Sequence, residues 1–420
     1  MKNFFKLAFI LSMILALVAV GTIGCGSDED ETAEPTEPTA TAEPTATAEP
    51  TAPTEKAPYK VGAVFATTGA QSHLGVPEKQ TVEMMVDQIN DAGGINGHPL
   101  EVIVYDTESN AEKCATMTSK LIEQDNVLAI IGPTSSGNSK AIIDTVTTAK
   151  VPLVSCAAAL DIVHPVEERY WVFKTPQTEV TVVAEIYTLL EKRGITDVAI
   201  ITDTSGFGAA GKQSLVADAA DYGITLVDEQ TFASGDTSMQ SQLTHIRGTN
   251  PQAIICWATD KESAMVAKDM QTLQMDIPLY CSHGIANKGF IESAGDAANG
   301  VIFPAGKLLV FDDVPADDPQ KEVLTKYKAD FEAIHGEGTI NTFGGHAFDA
   351  LSFVIMALET LEDGTSVADA RVQIRDEIEN IKGFAGTGGV FTLSPEDHLG
   401  MAPGSLALIE IVDGEWTWLK

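Results

Sequence analysis

Lys60-Val61-Gly62-Ala63-Val64-Phe65-Ala66 opens a pattern that recurs down the chain. A short apolar run closing in a polar loop is the signature of a strand buried on both faces. Val82, Met85, Val86 and Ile89 follow at helical spacing. Ala92-Gly93-Gly94-Ile95-Asn96-Gly97 then stops that helix with residues that tolerate positive φ. The three pieces make one β–α unit. The pattern continues with strands predicted over 100–105, 127–131 and 151–155, and helices over 110–123 and 136–148. It restarts with strands over 198–202, 225–232, 253–257 and 278–281, separated by helices over 206–222, 239–247 and 263–273. Strands alternating with helices predict a parallel sheet covered on both faces. Two such runs predict an α/β protein of two doubly wound, Rossmann-like lobes. Helices over 320–335 and 346–361 and late strands over 406–412 and 416–418 follow, and the pattern does not say which lobe takes them.

Ahead of this lies a different kind of sequence. Lys2 and Lys6 precede an apolar run from Leu7 to Val20, and Gly21-Thr22-Ile23-Gly24-Cys25 follows with small residues. That order predicts a secretory signal over 1–24, too short and too early for a membrane-spanning helix. From Ser27 the chain is Asp28-Glu29-Asp30-Glu31 and then repeats of Thr-Ala-Glu-Pro, as in Thr41-Ala42-Glu43-Pro44. Such a segment buries no core and is expected to act as a disordered tether over 25–57, reaching on the order of 100 Å when extended.

The remaining residues suffice for two cores. The chain carries 60 acidic and 26 basic residues, a formal charge of −34. Nucleic acid is therefore excluded as a partner, because phosphate contacts need a basic surface. Cys114, Cys156, Cys256 and Cys281 each lie in an apolar strand or helix pattern, so buried free thiols are expected. No CxxC or Cys/His ligand spacing is present, so neither a metal nor another cofactor is expected.

Several motifs in order resemble the leucine/isoleucine/valine-binding proteins, the type I periplasmic solute receptors of ABC uptake transporters. They are Thr68-Gly69-Ala70, the Asn90-Asp91-Ala92-Gly93-Gly94-Ile95-Asn96-Gly97 turn, Ile130-Ile131-Gly132-Pro133-Thr134-Ser135-Ser136 and Val151-Pro152-Leu153-Val154-Ser155. Trp171-Val172-Phe173-Lys174-Thr175, Ser293-Ala294-Gly295-Asp296 and Phe348-Asp349-Ala350 continue the series. The resemblance implies two lobes joined by three crossovers near 173–177, 303–307 and 381–385. One lobe would hold 58–177 and 307–382, the other 178–306 and 383–420. It further implies a monomeric, non-enzymatic receptor that closes on a small carboxylate ligand and docks on a permease of the branched-chain amino acid type. Gly21–Cys25 is similar to the lipobox of bacterial lipoproteins, with Thr22 where leucine is usual. Cys25 would then carry the lipid and hold the exported protein on a membrane, at its periplasmic or extracellular face. The alternative is a plain signal cut nearby.

Ligands of open α/β sheets sit beyond the strand C-termini. Ser135-Ser136-Gly137 ends a strand and opens a helix, offering free N–H groups, a positive dipole end and two hydroxyls to a carboxylate. The family's carboxylate-binding serine falls on Ser136; the plainer role is a helix cap. Ala157 would offer backbone groups, and Ala159 stands where relatives usually have a hydroxyl. Leu74 joins the candidate set. In the second lobe Phe207 matches an aromatic that closes over ligand, while Trp257 and Asp260 end another strand, facing the cleft or merely packing. His283 stands where amino-acid receptors often hold an acidic residue for the ligand ammonium. An imidazole suits an anion or a hydrogen-bonding group better. These departures predict a carboxylate ligand that is an apolar or aromatic organic acid rather than a zwitterionic amino acid.

Two rival readings remain. A receptor of this kind can present its bound form to a signalling partner instead of a permease. Gly206-Phe207-Gly208-Ala209-Ala210-Gly211 is a GxGxxG with Asp228 and Glu229 downstream, as an NAD-dependent oxidoreductase would carry. Asp203-Thr204-Ser205 lengthen the loop before the first glycine, and a complete lobe precedes the motif, both of which count against that reading.

Overall fold

The computed structural model describes residues 56–420; the predicted signal, Cys25 and nearly all of the predicted tether lie outside the described residues. In the first lobe, β1 (Tyr59–Phe65), α1 (Ser72–Asp91), β2 (Leu100–Asp106), α2 (Ala111–Glu123), β3 (Ala129–Ile131), α3 (Ser136–Ala149), β4 (Leu153–Ser155) and β5 (Val172–Lys174) follow one another. They form a parallel five-stranded sheet of order β2-β1-β3-β4-β5. Alternation along β1 sends Val61, Ala63 and Phe65 into one core and Val64 into another, so the sheet is buried on both faces.

The second lobe runs α4 (Glu179–Lys192), β6 (Asp197–Asp203), α5 (Gly206–Asp218), β7 (Thr225–Phe232), α6 (Gln240–Thr249), β8 (Ala253–Trp257), α7 (Asp260–Thr272), β9 (Leu279–Cys281), α8 (Lys288–Ala294) and β10 (Ile302–Gly306). After β10 come α9 (Lys321–His335), α10 (Thr342–Leu358), α11 (Val367–Glu379), the short β11 (Phe384–Ala385) and β12 (Val390–Phe391), and finally β13 (Leu406–Val412) and β14 (Glu415–Trp418). The second sheet has seven strands in the order β14-β13-β10-β9-β8-β6-β7. It is parallel except where β13 pairs antiparallel with β10 and β14. The fold is α/β with two mostly parallel lobes.

Helices α9, α10 and α11 bury Phe331, Val354 and Ile374 in the first lobe's core. One expectation needs correction. The sequence reading gives everything after 382 to the second lobe, yet Phe384, Phe391 and Leu393 pack in the first core, where Phe391 lies edge-on to Phe353 at 5.2 Å. The second sheet is rejoined only at Leu406, because β11 and β12 are two-residue strands with no readable period. Strands β5 and β10 and helices α4, α8 and α11 are likewise absent from the pattern reading. Helix α10 begins four residues earlier than its apolar period, at an Asn341 cap whose Oδ1 accepts the Gly344 N–H at 2.9 Å. Gly344 reads as a turn residue but is required by packing: a Cβ there would lie 2.4 Å from Tyr327 Oη. The four cysteines Cys114, Cys156, Cys256 and Cys281 are buried and unbridged.

Helix α10 also ties the connections together. Thr175 Oγ1 donates to the His346 carbonyl at 2.9 Å, and Thr387 Oγ1 to the Gly345 carbonyl at 2.8 Å. The Asp349 carboxylate accepts the N–H groups of Thr387 and Gly388 at 2.7 and 2.8 Å. Asp349 is fully buried, and that burial lifts its pKa from 3.8 to about 7 against the hydrogen bonds that favour its charge. Between about pH 4 and pH 7 the folded chain holds a proton that the unfolded chain has lost, so stability from this group declines as pH rises through that window. Asp349→Asn, which has no proton to titrate, should show a shallower decline of the urea midpoint over the same range. Asp349→Ala should lower stability at every pH, by about 1–3 kcal/mol for each orphaned buried donor.

Candidate ligand cleft

The C-terminal ends of both sheets face a cavity of about 250 Å³, near the small end of ligand sites. From the first lobe it is bordered by Gln71 just before α1 and Leu74 within it, Thr134, Ser135 and Ser136 around the start of α3, and Ala157 after β4. From the second come Asp203 at the end of β6, Phe207 of α5, Glu262 of α7 and His283 after β9; α10 adds Phe343 and His346.

Ser135 caps α3, its hydroxyl accepting the Asn138 N–H, and the buried Ser136 Oγ accepts the Ala159 N–H at 3.2 Å. With its lone pair so used, the Ser136 hydroxyl proton is free to be donated into the cavity. Across the gap, Ser205 caps α5 by accepting from Phe207 and Gly208 at 3.2 Å. The first turns of α3 and α5 touch: a Cβ on Gly206 would sit 3.0 Å from the Gly137 nitrogen. The N–H groups of Ser136, Gly137 and Gly206 take no partner among the described residues. Two positive helix ends thus meet at the cavity.

Of the nine sequence-predicted residues, Leu74, Ser135, Ser136, Ala157, Phe207 and His283 border the cavity. Ala157 brings less than expected, since its N–H is already donated to Ser155 Oγ at 3.1 Å. Three lie elsewhere. Ala159 is fully buried and orients Ser136 through its N–H. Trp257 is fully buried behind Phe207, ring centroids 5.7 Å apart. Asp260 meets His73 of α1 in a contact that ties the lobes across the cleft. A second tie runs from the Leu160 N–H to both oxygens of Glu179, at 3.2 and 3.0 Å. Reading by sequence missed Gln71, Asp203, Glu262, Phe343 and His346. The signal for His346 is the Asn341 cap with Gly344-Gly345 after it, which places a histidine one turn into a helix.

Electrostatics in the cleft follow burial. Asp203 is raised above its ordinary carboxylate value by burial, with Glu262 nearby adding to the effect. His346 is lowered to about 3 by burial and then by Lys174, and His283 falls well below its ordinary value by burial, then His346 and Lys174. Lys174, buried where the chain leaves β5, drops to about 7 through burial, opposed by Glu179, and its Nζ donates to the Pro176 carbonyl at 2.7 Å. Glu78 lies fully buried behind Thr134, which hydrogen-bonds it, and burial raises its pKa well above the usual range.

The glycines of the GxGxxG are explained by packing. A Cβ on Gly208 would lie 2.1 Å from the Asp203 carbonyl, and one on Gly211 would lie 2.3 Å from the Trp257 indole. Asp228, the expected ribose partner, instead holds His245 Nδ1 at 2.6 Å.

A family model described as periplasmic binding protein matches residues 58–415. The chain belongs to that family, in its leucine/isoleucine/valine-binding, type I branch. It is 25% identical over 320 residues to the Leu/Ile/Val-binding protein BraC3 of Rhizobium johnstonii, covering 74% of this chain and 82% of the relative. It is 21% identical to the Leu/Ile/Val-binding protein of Escherichia coli over 64% of this chain and 73% of that one. An extracellular ligand-binding receptor from Rhodopseudomonas palustris superposes with a TM-score of 0.81 at 28% identity, over 87% of this chain and all of that one. The isoleucine complex of LivJ from Streptococcus pneumoniae shares the fold, with a TM-score of 0.75 at 23% identity over 86% and 97% of the two chains. The relatives named here are solute-binding proteins, and the chain shares the periplasmic binding protein fold with them.

Because Gly211 packs against an indole, Gly211→Ala should lower stability by about 1–3 kcal/mol through overpacking, read as a fall in the urea midpoint. An unchanged midpoint would return the glycine motif to a ligand-binding role.

Proposed function

We propose that the protein is the extracytoplasmic receptor of an ABC uptake transporter of the branched-chain amino acid type. It closes two lobes on a small carboxylate, either an amino acid or an apolar or aromatic organic acid. The observation that carries this reading is the pair of helix N-termini meeting at the cavity, with unpartnered N–H groups and a serine hydroxyl free to donate. A carboxylate there gains about 0.3–1 kcal/mol from each helix end, and more from the hydrogen bonds themselves. Leu74, Phe207 and Phe343 give the rest of the ligand apolar walls. Neutral histidines favour the organic acid over the zwitterion.

In this reading a lipid on Cys25 holds the monomeric receptor at the membrane face, and the acidic tether lets it reach a permease. Among the described residues no helix is long and apolar enough to cross a membrane. The Asp260–His73 contact and the Leu160–Glu179 hydrogen bonds hold the closed form that the permease would recognise.

Calorimetric titration with leucine, isoleucine, valine and a panel of apolar and aromatic acids tests the reading. At least one carboxylate should bind, and Ser136→Ala should weaken it about ten- to a hundredfold, the 1.5–3 kcal/mol of a hydrogen bond to a charged group. Failure of every carboxylate to bind, or an unaltered affinity in Ser136→Ala, overturns it.

A further inference from the structure

His283 and His346 are 3% and 2% exposed, and both border the cavity. Neither ring nitrogen of His283 has a hydrogen-bond partner, nor does Nδ1 of His346. Buried polar nitrogens are nearly always paired, so three orphans on two histidines that border the cavity call for an explanation. His283 is edge-on to Phe207 at 5.1 Å and to Trp257 at 6.0 Å, contacts that fix the ring's plane but replace a hydrogen bond only weakly. Gln71 adds a fourth uncharged orphan, its Oε1.

Both histidines are neutral, since burial and the neighbouring Lys174 disfavour their charged forms. A neutral imidazole has one donor and one acceptor nitrogen, a pair that a hydroxyl matches and an ammonium does not. The acidic groups of the cavity are also poorly placed for an ammonium. Glu262 Oε1 accepts from Ser234 Oγ and Gly235 N at 3.3 and 3.2 Å, and its Oε2 from Thr259 Oγ1 at 3.2 Å. Asp203 Oδ1 accepts the Ser205 N–H at 2.7 Å, and burial tilts that carboxyl toward its neutral form.

We infer that the cleft takes a hydroxy-substituted carboxylic acid, whose carboxylate lies at the facing helix ends and whose hydroxyl hydrogen-bonds to His283 and His346. This rests on the carboxylate reading above. The hydroxyl satisfies nitrogens that the closed protein leaves without partners, while the matching unsubstituted acid leaves them bare. Discrimination by buried polar groups is steep for that reason.

Isothermal titration of the whole mature chain with two matched series tests this. The first is isocaproic acid, leucic acid and leucine; the second is phenylacetate and para-hydroxyphenylacetate. In at least one series the hydroxyl-bearing member should bind tenfold or more tightly than its unsubstituted partner, and leucic acid should bind more tightly than leucine. His283→Phe and His346→Leu should each reduce that preference to less than threefold. His283→Gln, which keeps a donor and an acceptor, should retain part of it, and thermal midpoints check folding. Acids that bind with no preference for a hydroxyl, leucine as the tightest ligand, or a preference that survives both apolar variants would each overturn the inference and leave the carboxylate receptor standing. Binding of no acid in either series or the wider panel would instead remove the reading on which it rests.

Discussion

Helices α3 and α5 bring positive ends together, with Gly206 packed against Gly137. Each end favours a nearby anion and disfavours the other end when no anion is present. Lobe closure and the charge of an occupant are therefore one electrostatic problem, which an anion in the gap would relieve. The rest of the architecture serves that meeting. Parallel strands in each lobe deliver helix N-termini to the same edge of their sheet, and two such edges face each other. The glycines at positions 206 and 137 keep side chains out of the contact, so backbone N–H groups reach the cavity directly.

The chain connecting the lobes is gathered at the N-terminal half of α10. Thr175, Gly345, His346, Asp349, Thr387 and Gly388 form one buried set of hydrogen bonds linking the exit from β5 to the hairpin after α11. His346 belongs to that set through its carbonyl and to the cavity through its ring. A bound ligand that touches the ring therefore touches the element on which the connecting segments are fastened. Lys174 and Glu179 sit at the first crossing and shift each other's charge, so the electrostatics of the connection and of the cavity are continuous.

Much of the fold was legible because its elements carry strong periods. Strands β1, β2, β6 and β8 are apolar runs ending in turn residues, and helices such as α2 begin at a capping residue, Asn110, whose side chain accepts the Lys113 N–H. What was lost lacked a period or carried a misleading residue. The hairpin β11–β12 is too short to alternate, which moved the last crossing from 381–385 to beyond Leu393. Gly344 and Gly345 concealed the first turn of α10 because glycine usually marks a turn, whereas here close packing on Tyr327 and Thr81 demands it. The cleft shows the same division. Ser135 and Ser136 were read from the turn between a strand and a helix, and Phe207 and His283 from the family resemblance. Trp257 and Asp260 also follow a strand end, but the first was drawn into the core and the second across to His73. Position after a strand says that a residue is near the cleft; its rotamer and neighbours say whether it enters.

By itself the sequence determined the α/β class, the two lobes, the strongly acidic composition, and the strand ends that border the cavity. These follow from local period and composition, which neighbouring residues specify among themselves. Only the tertiary structure decided that the GxGxxG glycines answer to Asp203, Trp257 and Gly137, and that Ala159 orients Ser136. It alone joined His346, remote in sequence, to His283 and left their nitrogens unpaired. Those outcomes depend on contacts between segments a hundred or more residues apart in some cases, and on the burial that strips water from an imidazole, neither of which is encoded in any local stretch of chain.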